Sequence, residues 1–449
     1  MSRFAFTLAS LLAISAATPA VHASPLVMTD STATEAWRLA NGLEVRVRTI
    51  PGAAGASISL AYRAGALHLP PAHAGLAQLL AELQFTAAAG PVPERTREEL
   101  SSLRPAGWDV RVNDHVTVLT EVAAPSQLPG VLLQVSARAH GVQVSAECFQ
   151  RAGNTVRSTL AREAFGDPDM ILYRRVRDVA LGKDDARILA DAQGRGLEGI
   201  NAGAAALLLQ RLYVPANATL ALAGDFGGID VHALLEKLFA DIPAGAAEPE
   251  AASPRMLPGA RTVLVPGIGK PLGVVAAIAP ALDDSTNAPF FLAALLTGAS
   301  WRDAVGTPRP PLMAAFRYSV LDDPDLVRFY DQDPANLADT TAMVVHWAEA
   351  VESLRGQQIP IPLLDQLRLS VVWLYGGPIS TPVLQLIRRD PSALSELSFS
   401  MATRACWRGD RFWDRWRRQF ETSRLSPHMF YGPMIGPGRH VAVLLQPQR

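Results

Sequence analysis

The order of strand and helix patterns constrains the fold of this chain most, because the same order begins twice. WRLANGLEVRVRTI, at 37–50, places Asn-Gly between two alternating runs, which is typical of a β-hairpin. GASISLAYRAG then predicts a strand, and residues 74–85 predict a helix with an apolar face. RTVLVP, LGVVAAIAP and NAPFFLAALLTG repeat the strand, strand, helix order after residue 260. The sequence therefore predicts an α+β fold of two similar domains, each with a sheet covered by helices.

Composition marks the boundaries of these domains. Residues 1–23 combine the basic Arg3, a short apolar run and a small-residue cleavage pattern, which predicts a signal peptide and export to the periplasm or cell envelope. The segment 243–260, PAGAAEPEAASPRMLPGA, has no apolar face and is the predicted linker. An N-terminal domain at 30–242 and a C-terminal domain at 261–449 follow from these limits.

Charge and cysteine content exclude several classes of protein. The formal net charge is −1 and no long basic run is present, so no nucleic-acid partner is expected, and the expected partner is a protein or peptide. After removal of the signal peptide, no segment is apolar enough to span a membrane. The chain has two cysteines, Cys148 and Cys406, which excludes a disulfide-framed scaffold. Two free thiols and one bridge between the halves both remain open.

Four stretches carry a family resemblance. LANGLEVRV, SLAYRAGA, GLAQLLAEL and YVPANATLALAGDF occur in this order between residues 37 and 242. They resemble successive motifs of the insulinase, or pitrilysin, family of zinc metallopeptidases and their non-catalytic relatives, which include mitochondrial processing peptidase subunits. The second half resembles the family loosely, in NAPFFLAALLTGA and the closing strand. The resemblance implies two similar domains with mixed, mostly antiparallel sheets.

The resemblance also implies a metal site that this chain has lost. Active members carry H-x-x-E-H on the helix that follows Gly-Leu-Ala, because two histidines four residues apart hold zinc and the glutamate polarises the bound water. Here the first histidine position is Gln78, the glutamate is Ala81, and the second histidine is Glu82. The distal glutamate ligand falls near Leu160, within NTVRSTLAREAFGDP. With all four positions changed, no cofactor is expected in this chain.

Other residues offer weaker candidates for chemistry. A replacement metal site from His73, Glu82 and His115 has no ligand spacing to support it. By the resemblance, Tyr318 falls at a peptide-binding tyrosine position, while Pro311 stands where the family has arginine and Arg309 or Arg317 could substitute; a half-buried strand tyrosine is the alternative. Asn217-Ala-Thr matches a glycosylation sequon but lies at a helix-to-strand connector. Trp413, Trp416 and Phe420 fit either a docking surface or, as the favoured interpretation, a core-facing helix.

The sequence thus predicts a pseudoenzyme. By the resemblance, it is the non-catalytic subunit of an exported heterodimer, in which a zinc-bearing subunit supplies the metal and both enclose a chamber for peptide or unfolded polypeptide. A stand-alone binding or structural protein of the envelope is one alternative. An active metallopeptidase with an atypical site is the other.

Overall fold

A computed structural model describes residues 33–303, 321, 325–331, 333–353, 361–423 and 438–448 of the chain. Its first half begins with strands and continues mainly with helices. The strands are β1 (Glu35–Arg38), β2 (Glu44–Thr49), β3 (Ala56–Tyr62), β4 (Trp108–Val112), β5 (Thr117–Ala123) and β6 (Ala218–Gly224). The helices are α1 (Leu76–Thr86), α2 (Arg97–Leu103), α3 (Leu128–His140), α4 (Ala146–Phe165), α5 (Pro168–Ala180), α6 (Asp185–Ala192), α7 (Ala202–Leu212) and α8 (Val231–Phe239).

The first sheet has the order β1-β2-β6-β3-β5-β4. Its pairs are antiparallel except for β2 with β6, which run parallel. The predicted hairpin is the β1–β2 pair, and Gly42 in its turn has a φ of 88° that favours glycine. The Asn41 amide nitrogen donates to the carbonyl oxygens of Phe239 (2.7 Å) and Ile242 (3.0 Å), which ties the turn to the end of α8.

The second half contains a smaller sheet and further helices. Its strands are β7 (Gly259–Val265), β8 (Leu272–Ile278), β9 (Leu326–Asp331) and β10 (His440–Pro447). Its helices are α9 (Asn287–Asp303), α10 (Thr340–Ser353), α11 (Ile361–Val371), α12 (Thr381–Arg389), α13 (Pro391–Cys406) and α14 (Gly409–Thr422). The sheet order is β7-β10-β8-β9, with β10 parallel to β7 and antiparallel to β8. The predicted α+β fold with two mixed, mostly antiparallel sheets is confirmed.

Each half places one helix on the sheet of the other half. Helix α13 packs on β3, β5 and β6 of the first sheet, while α5 packs on β8 and β10 of the second. Small side chains allow the first contact: the hydroxyl of Ser398 lies 2.7 Å from that of Ser57 and 2.8 Å from that of Ser59, and all three residues are fully buried. The opposite face of the first sheet is covered by α1, α3, α4, α7 and α8 through a separate apolar core.

The segment between the halves is packed rather than free. Residues 243–258 form no helix or strand, and β7 begins at Gly259, inside the predicted linker. The backbone N–H of Glu248 donates to the Asn217 side chain (3.2 Å), and that of Leu257 donates to the carbonyl oxygen of Ala180 (2.7 Å). Met256 is buried among residues of α5 and the second sheet. No helix in the described part of the chain is long and apolar enough to cross a membrane.

Candidate functional site

Helix α1 carries the three positions that the sequence resemblance relates to a metal motif. It begins after Gly75, whose φ of 87° is left-handed. A Cβ at Gly75 would lie 2.9 Å from Leu160 Cδ1, so both the backbone conformation and the available space require glycine. Ala81 is fully buried, Glu82 is 4% exposed, and Gln78 is half-buried. The helix therefore packs firmly whether or not it binds a metal.

Glu82 is held by an arginine from the next helix. Arg97 Nε lies 2.9 Å and 3.0 Å from the two carboxylate oxygens of Glu82, and its Nη2 donates to one of them. The hydrogen bonds that Arg97 donates to Glu82 raise the pKa of Arg97 against the opposing effect of burial. The Arg97 guanidinium also lies 5.4 Å from the ring centre of Trp108, which stacks on Phe85. Both oxygens that could bind a cation are thus occupied by a guanidinium.

Leu160 is brought next to the start of α1, where the resemblance places the distal ligand. It lies in α4, is 4% exposed, and approaches Gly75 together with Val156 and Leu197. The side chains around Leu160 at this point are therefore all apolar. Of the four motif positions, Gln78 offers an amide, Ala81 and Leu160 offer no donor atom, and Glu82 is engaged in an ion pair. The four side chains provide neither a set of zinc ligands nor a general base.

The three residues of the replacement site have different partners. His73 Nδ1 lies 2.8 Å from the carbonyl oxygen of Gly196, and Glu82 pairs with Arg97. The His115 ring stacks on Trp407 with centroids 4.4 Å apart. Among the described residues, no group of three or more His, Cys, Asp and Glu side chains could hold a metal ion.

The structure describes some of the other residues that the sequence analysis singled out. Tyr318, Pro311, Arg309 and Arg317 lie outside the described residues. Cys148 and Cys406 are both buried free thiols. Asn217 is 2% exposed, and its side-chain amide donates to the carbonyl oxygens of Arg63 (2.9 Å) and Leu212 (2.8 Å). This side chain therefore stabilises the helix-to-strand connector and is too buried to carry a glycan. The core-facing interpretation of Trp413, Trp416 and Phe420 is confirmed, because all three are buried in α14.

Two features near α1 were missed by sequence reasoning. The first is Arg97 itself; Thr96 and Glu99 form a capping box that begins α2 and places Arg97 in its first turn, so this sequence signal was available. The second is a buried ion network in which Glu121 accepts from Arg138 and, at 2.7 Å, from Arg104. No sequence pattern joins these three residues, because the sheet and two helices bring them together.

The fold is shared with a group of solved peptidases. The two-sheet architecture is that of the insulinase-like M16 peptidases, and 194 solved chains match it. No family model matches the sequence, and no curated protein matches it either. The likeness to the solved structures therefore establishes the fold.

Three solved structures illustrate the likeness. A protease from Helicobacter pylori superposes with a TM-score of 0.70 at 15% identity, over 93% of this chain and 100% of that chain. The periplasmic protease PqqL from Escherichia coli gives a TM-score of 0.65 at 13% identity, over 94% of this chain and 48% of that chain. The peptidase M16 inactive domain from Pseudomonas fluorescens gives a TM-score of 0.63 at 14% identity, over 93% and 98% respectively.

Proposed function

We propose that this chain is a catalytically inactive member of the insulinase-like metallopeptidases. It acts as the non-catalytic subunit of an exported complex and helps to hold peptide against the zinc site of a partner subunit. The observation that carries this proposal is the Arg97 guanidinium on both oxygens of Glu82, at the position of the second histidine. A solved M16 domain described as inactive and a periplasmic protease with the same fold support it.

The chemistry of the four positions supports inactivity. Peptide hydrolysis by this class needs a metal-bound water and a base, which together supply most of the stabilisation of the transition state. Ala81 is a fully buried methyl group where the base would stand. Leu160 contributes hydrocarbon where a carboxylate ligand would stand. A partner subunit would have to supply both the metal and the base.

An edge strand next to α1 supports a role in holding peptide. Within the described residues, β4 pairs with β5 along one edge, and no described strand pairs with its other edge. All five residues of β4 are half-buried, and its Trp108 is part of the Arg97 and Phe85 stack. An extended peptide can add to such an edge through backbone hydrogen bonds. The strand thus offers a binding surface that requires no metal.

The test is a pull-down of the mature chain from its native cell envelope. The eluate is assayed for zinc content and peptide cleavage, and the chain purified alone is assayed beside it. We expect the chain alone to bind no zinc and to cleave nothing, and a co-purifying H-x-x-E-H protein to carry the activity. A monomeric chain that leaves such a protein's activity unchanged contradicts the proposal and favours a stand-alone envelope protein. Stoichiometric zinc in the chain alone favours the atypical peptidase.

A further inference from the structure

Helix α14 carries its aromatic and its basic residues on opposite faces. The buried face contributes four aromatic side chains to the core that also contains α13, namely Phe412, Trp413, Trp416 and Phe420. On the exposed face, Arg411, Arg415 and Arg418 follow one another at intervals of four and three residues. These three residues, the arginine stripe, lie within about 60° of one another around the helix axis. Because the aromatic face is fixed in the core, the stripe remains in solvent.

The acids of α14 are paired with arginines outside the stripe. Asp410 Oδ2 lies 2.6 Å from Arg46 Nη1. Arg417 takes the other two acids, since its Nη2 lies 3.5 Å from Asp414 and its Nη1 lies 3.0 Å from Glu421. No side chain of the arginine stripe forms a hydrogen bond or an ion pair with another residue in the part of the chain that the structure describes. The stripe therefore presents three guanidinium groups without a carboxylate partner.

The ring of Phe412 orders the beginning of this face. The Arg415 guanidinium lies 5.6 Å from the ring centre of Phe412, and that of Arg408, just before the helix, lies 5.3 Å from it. Arg408 is also held by Glu250, with Nε 2.7 Å from Oε1. Cation–π contact restricts the Arg415 side chain before any partner arrives, so less side-chain entropy is lost on binding.

The arginine stripe is remote from the proposed peptide-binding edge. The ion pair of Asp410 with Arg46 places the first turn of α14 beside β2. Strands β6, β3 and β5 separate β2 from β4, which amounts to four strand spacings, or about 19 Å. Neither the altered metal motif nor the β4 edge therefore accounts for the stripe.

We propose that the arginine stripe binds an acidic helix of a protein partner. A guanidinium binds a carboxylate through two N–H donors, which makes arginine well suited to such pairing. Carboxylates three and four residues apart on one helix face have the same spacing as Arg411, Arg415 and Arg418. This surface goes beyond the proposed function, because it requires neither a peptide on β4 nor a zinc-bearing partner.

The charges of α14 favour a protein partner over an anionic membrane. The helix has four arginines and three acids, which sum to one positive charge. A membrane surface responds to the charges summed over about a Debye length, roughly 10 Å, and so attracts this helix weakly. A carboxylate in direct contact responds mainly to the guanidinium that it touches. The arrangement of the arginines on one face therefore matters more than the net charge.

The test compares two helical peptides of the same composition. Both are fluorescein-labelled and consist of alanine, glutamine and three glutamates; one has its glutamates four and three residues apart on one face, and the other has them spread evenly around the helix. Fluorescence anisotropy with the purified full-length chain measures binding. We expect the one-face peptide to bind at least about fivefold more tightly, because it forms more ion pairs at once. The difference should shrink as salt is raised.

Two triple variants with the same net charge provide the matched comparison. The two peptides should bind within about twofold of each other when the stripe is removed by Arg411→Gln, Arg415→Gln and Arg418→Gln. The control removes three exposed arginines from α4, the segment between the halves and α12, and it should keep the wild-type preference; its changes are Arg162→Gln, Arg255→Gln and Arg389→Gln. Circular dichroism checks that both variants are folded. Arg411→Gln alone, which removes no ion pair within the chain, should halve the preference.

Three outcomes would overturn the inference. Equal binding of the two peptides to the wild-type chain would show attraction by net charge alone. An unchanged preference in the stripe variant, or a lost preference in the control variant, would place the binding elsewhere. Vesicles of phosphatidylglycerol that bind the wild-type chain but not the stripe variant, without any peptide preference, would make the stripe a membrane contact. The pull-down from the envelope tests the proposed function separately, through zinc and peptide cleavage.

Discussion

Glu82 places a carboxylate in an almost fully buried position, where it pairs with the guanidinium of Arg97. The side chain of Glu82 is 5% exposed, whereas that of Arg97 is 45% exposed. An ion pair with one solvated member contributes less than a fully buried pair, but removal of the cation leaves a desolvated carboxylate. The ion pair is therefore more important for the stability of α1 than the partial exposure of Arg97 alone would indicate.

We predict that Arg97→Met lowers the free energy of unfolding by about 1–3 kcal/mol. The reason is the unpaired carboxylate of Glu82, and urea denaturation at pH 7 measures the change. The double variant Glu82→Gln, Arg97→Met should recover most of the loss, because its side chains carry no charge. Equal losses in the single and double variants would show that Arg97 acts through its contact with Trp108 instead.

His115 gives the protein a specific dependence on acid. His115 is 3% exposed, and its ring stacks on Trp407. The Nε2 atom forms a hydrogen bond with the Ser253 hydroxyl at 3.1 Å. Burial lowers the pKa of His115 from 6.5 to about 4, and burial also lowers the pKa of the neighbouring His68. Asp114 opposes the shift at His115, while Arg177 and Arg408 reinforce it.

We predict that the folded protein loses stability as the pH falls from about 6.5 towards 4. The unfolded chain binds a proton at His115 in this range and the folded chain does not, so protonation favours unfolding, by up to roughly 3 kcal/mol at the acid end. Denaturant unfolding at pH 7, 5.5 and 4.5 measures the slope. His115→Gln should have a shallower slope than the wild-type chain, and identical slopes would contradict the assignment to His115.

Among the helices, α13 has the most demanding packing. Residues 393–406 of this helix are buried except for the half-buried Glu396, and many are small: alanine, serine and threonine. Ser398 meets Ser57 and Ser59 on the first sheet, so helix and sheet approach closely there. A helix buried on all sides cannot be recognised as an amphipathic surface helix, and its small residues mark a close approach rather than a solvent face.

We predict that Ser398→Leu lowers the free energy of unfolding by about 2–3 kcal/mol. The larger side chain must separate α13 from β3 and leaves the two serine hydroxyls without a partner across the interface. Thermal unfolding followed by circular dichroism measures the change. Ser102→Leu, on the exposed face of α2, is the matched control and should change stability by less than about 0.5 kcal/mol. A similar loss in both variants would argue against close packing as the cause.

For the whole molecule, the exchange of helices makes the two halves mutually dependent. Helix α5 contributes Ile171, Leu172, Val176, Val179 and Ala180 to the core beneath the second sheet. Helix α13 contributes to the core that covers one face of the first sheet, together with Ala61 and Val118. Each half alone would therefore expose an apolar sheet face and an apolar helix.

We predict that residues 24–258 and 259–449, produced separately, do not fold into stable monomers. Co-expression of the two fragments should restore a 1:1 complex with the circular dichroism spectrum of the intact chain, because each fragment covers the apolar face of the other. Gel filtration with light scattering measures the masses. A folded, monomeric fragment of either half would contradict the prediction, and a fragment pair cut within β3 should fail to reassociate.

Local sequence patterns were sufficient to predict several of the turns and strands. The Asn-Gly turn lies in the β1–β2 hairpin, the alternating run at 108–112 forms β4, and the closing strand HVAVLLQP forms β10. Residues 125–240 were predicted to be mainly helical, but α5 and α6 were not recognised individually, because charged residues obscure their apolar faces; that of α5 packs on the second sheet. The sequence also has a strand-like pattern in FRYSVLDD, at 316–323, and this segment lies outside the described residues except for Leu321.

The sequence by itself determined the class of fold and the side chains at the four altered motif positions, because alternation, turn chemistry and residue identity are local properties. Only the tertiary structure decided what surrounds these four positions. It placed Arg97 of α2 on Glu82 of α1, and it placed Leu160 of α4 against Gly75. These arrangements join residues far apart in the chain, and the packing of helices on the sheet sets their distances.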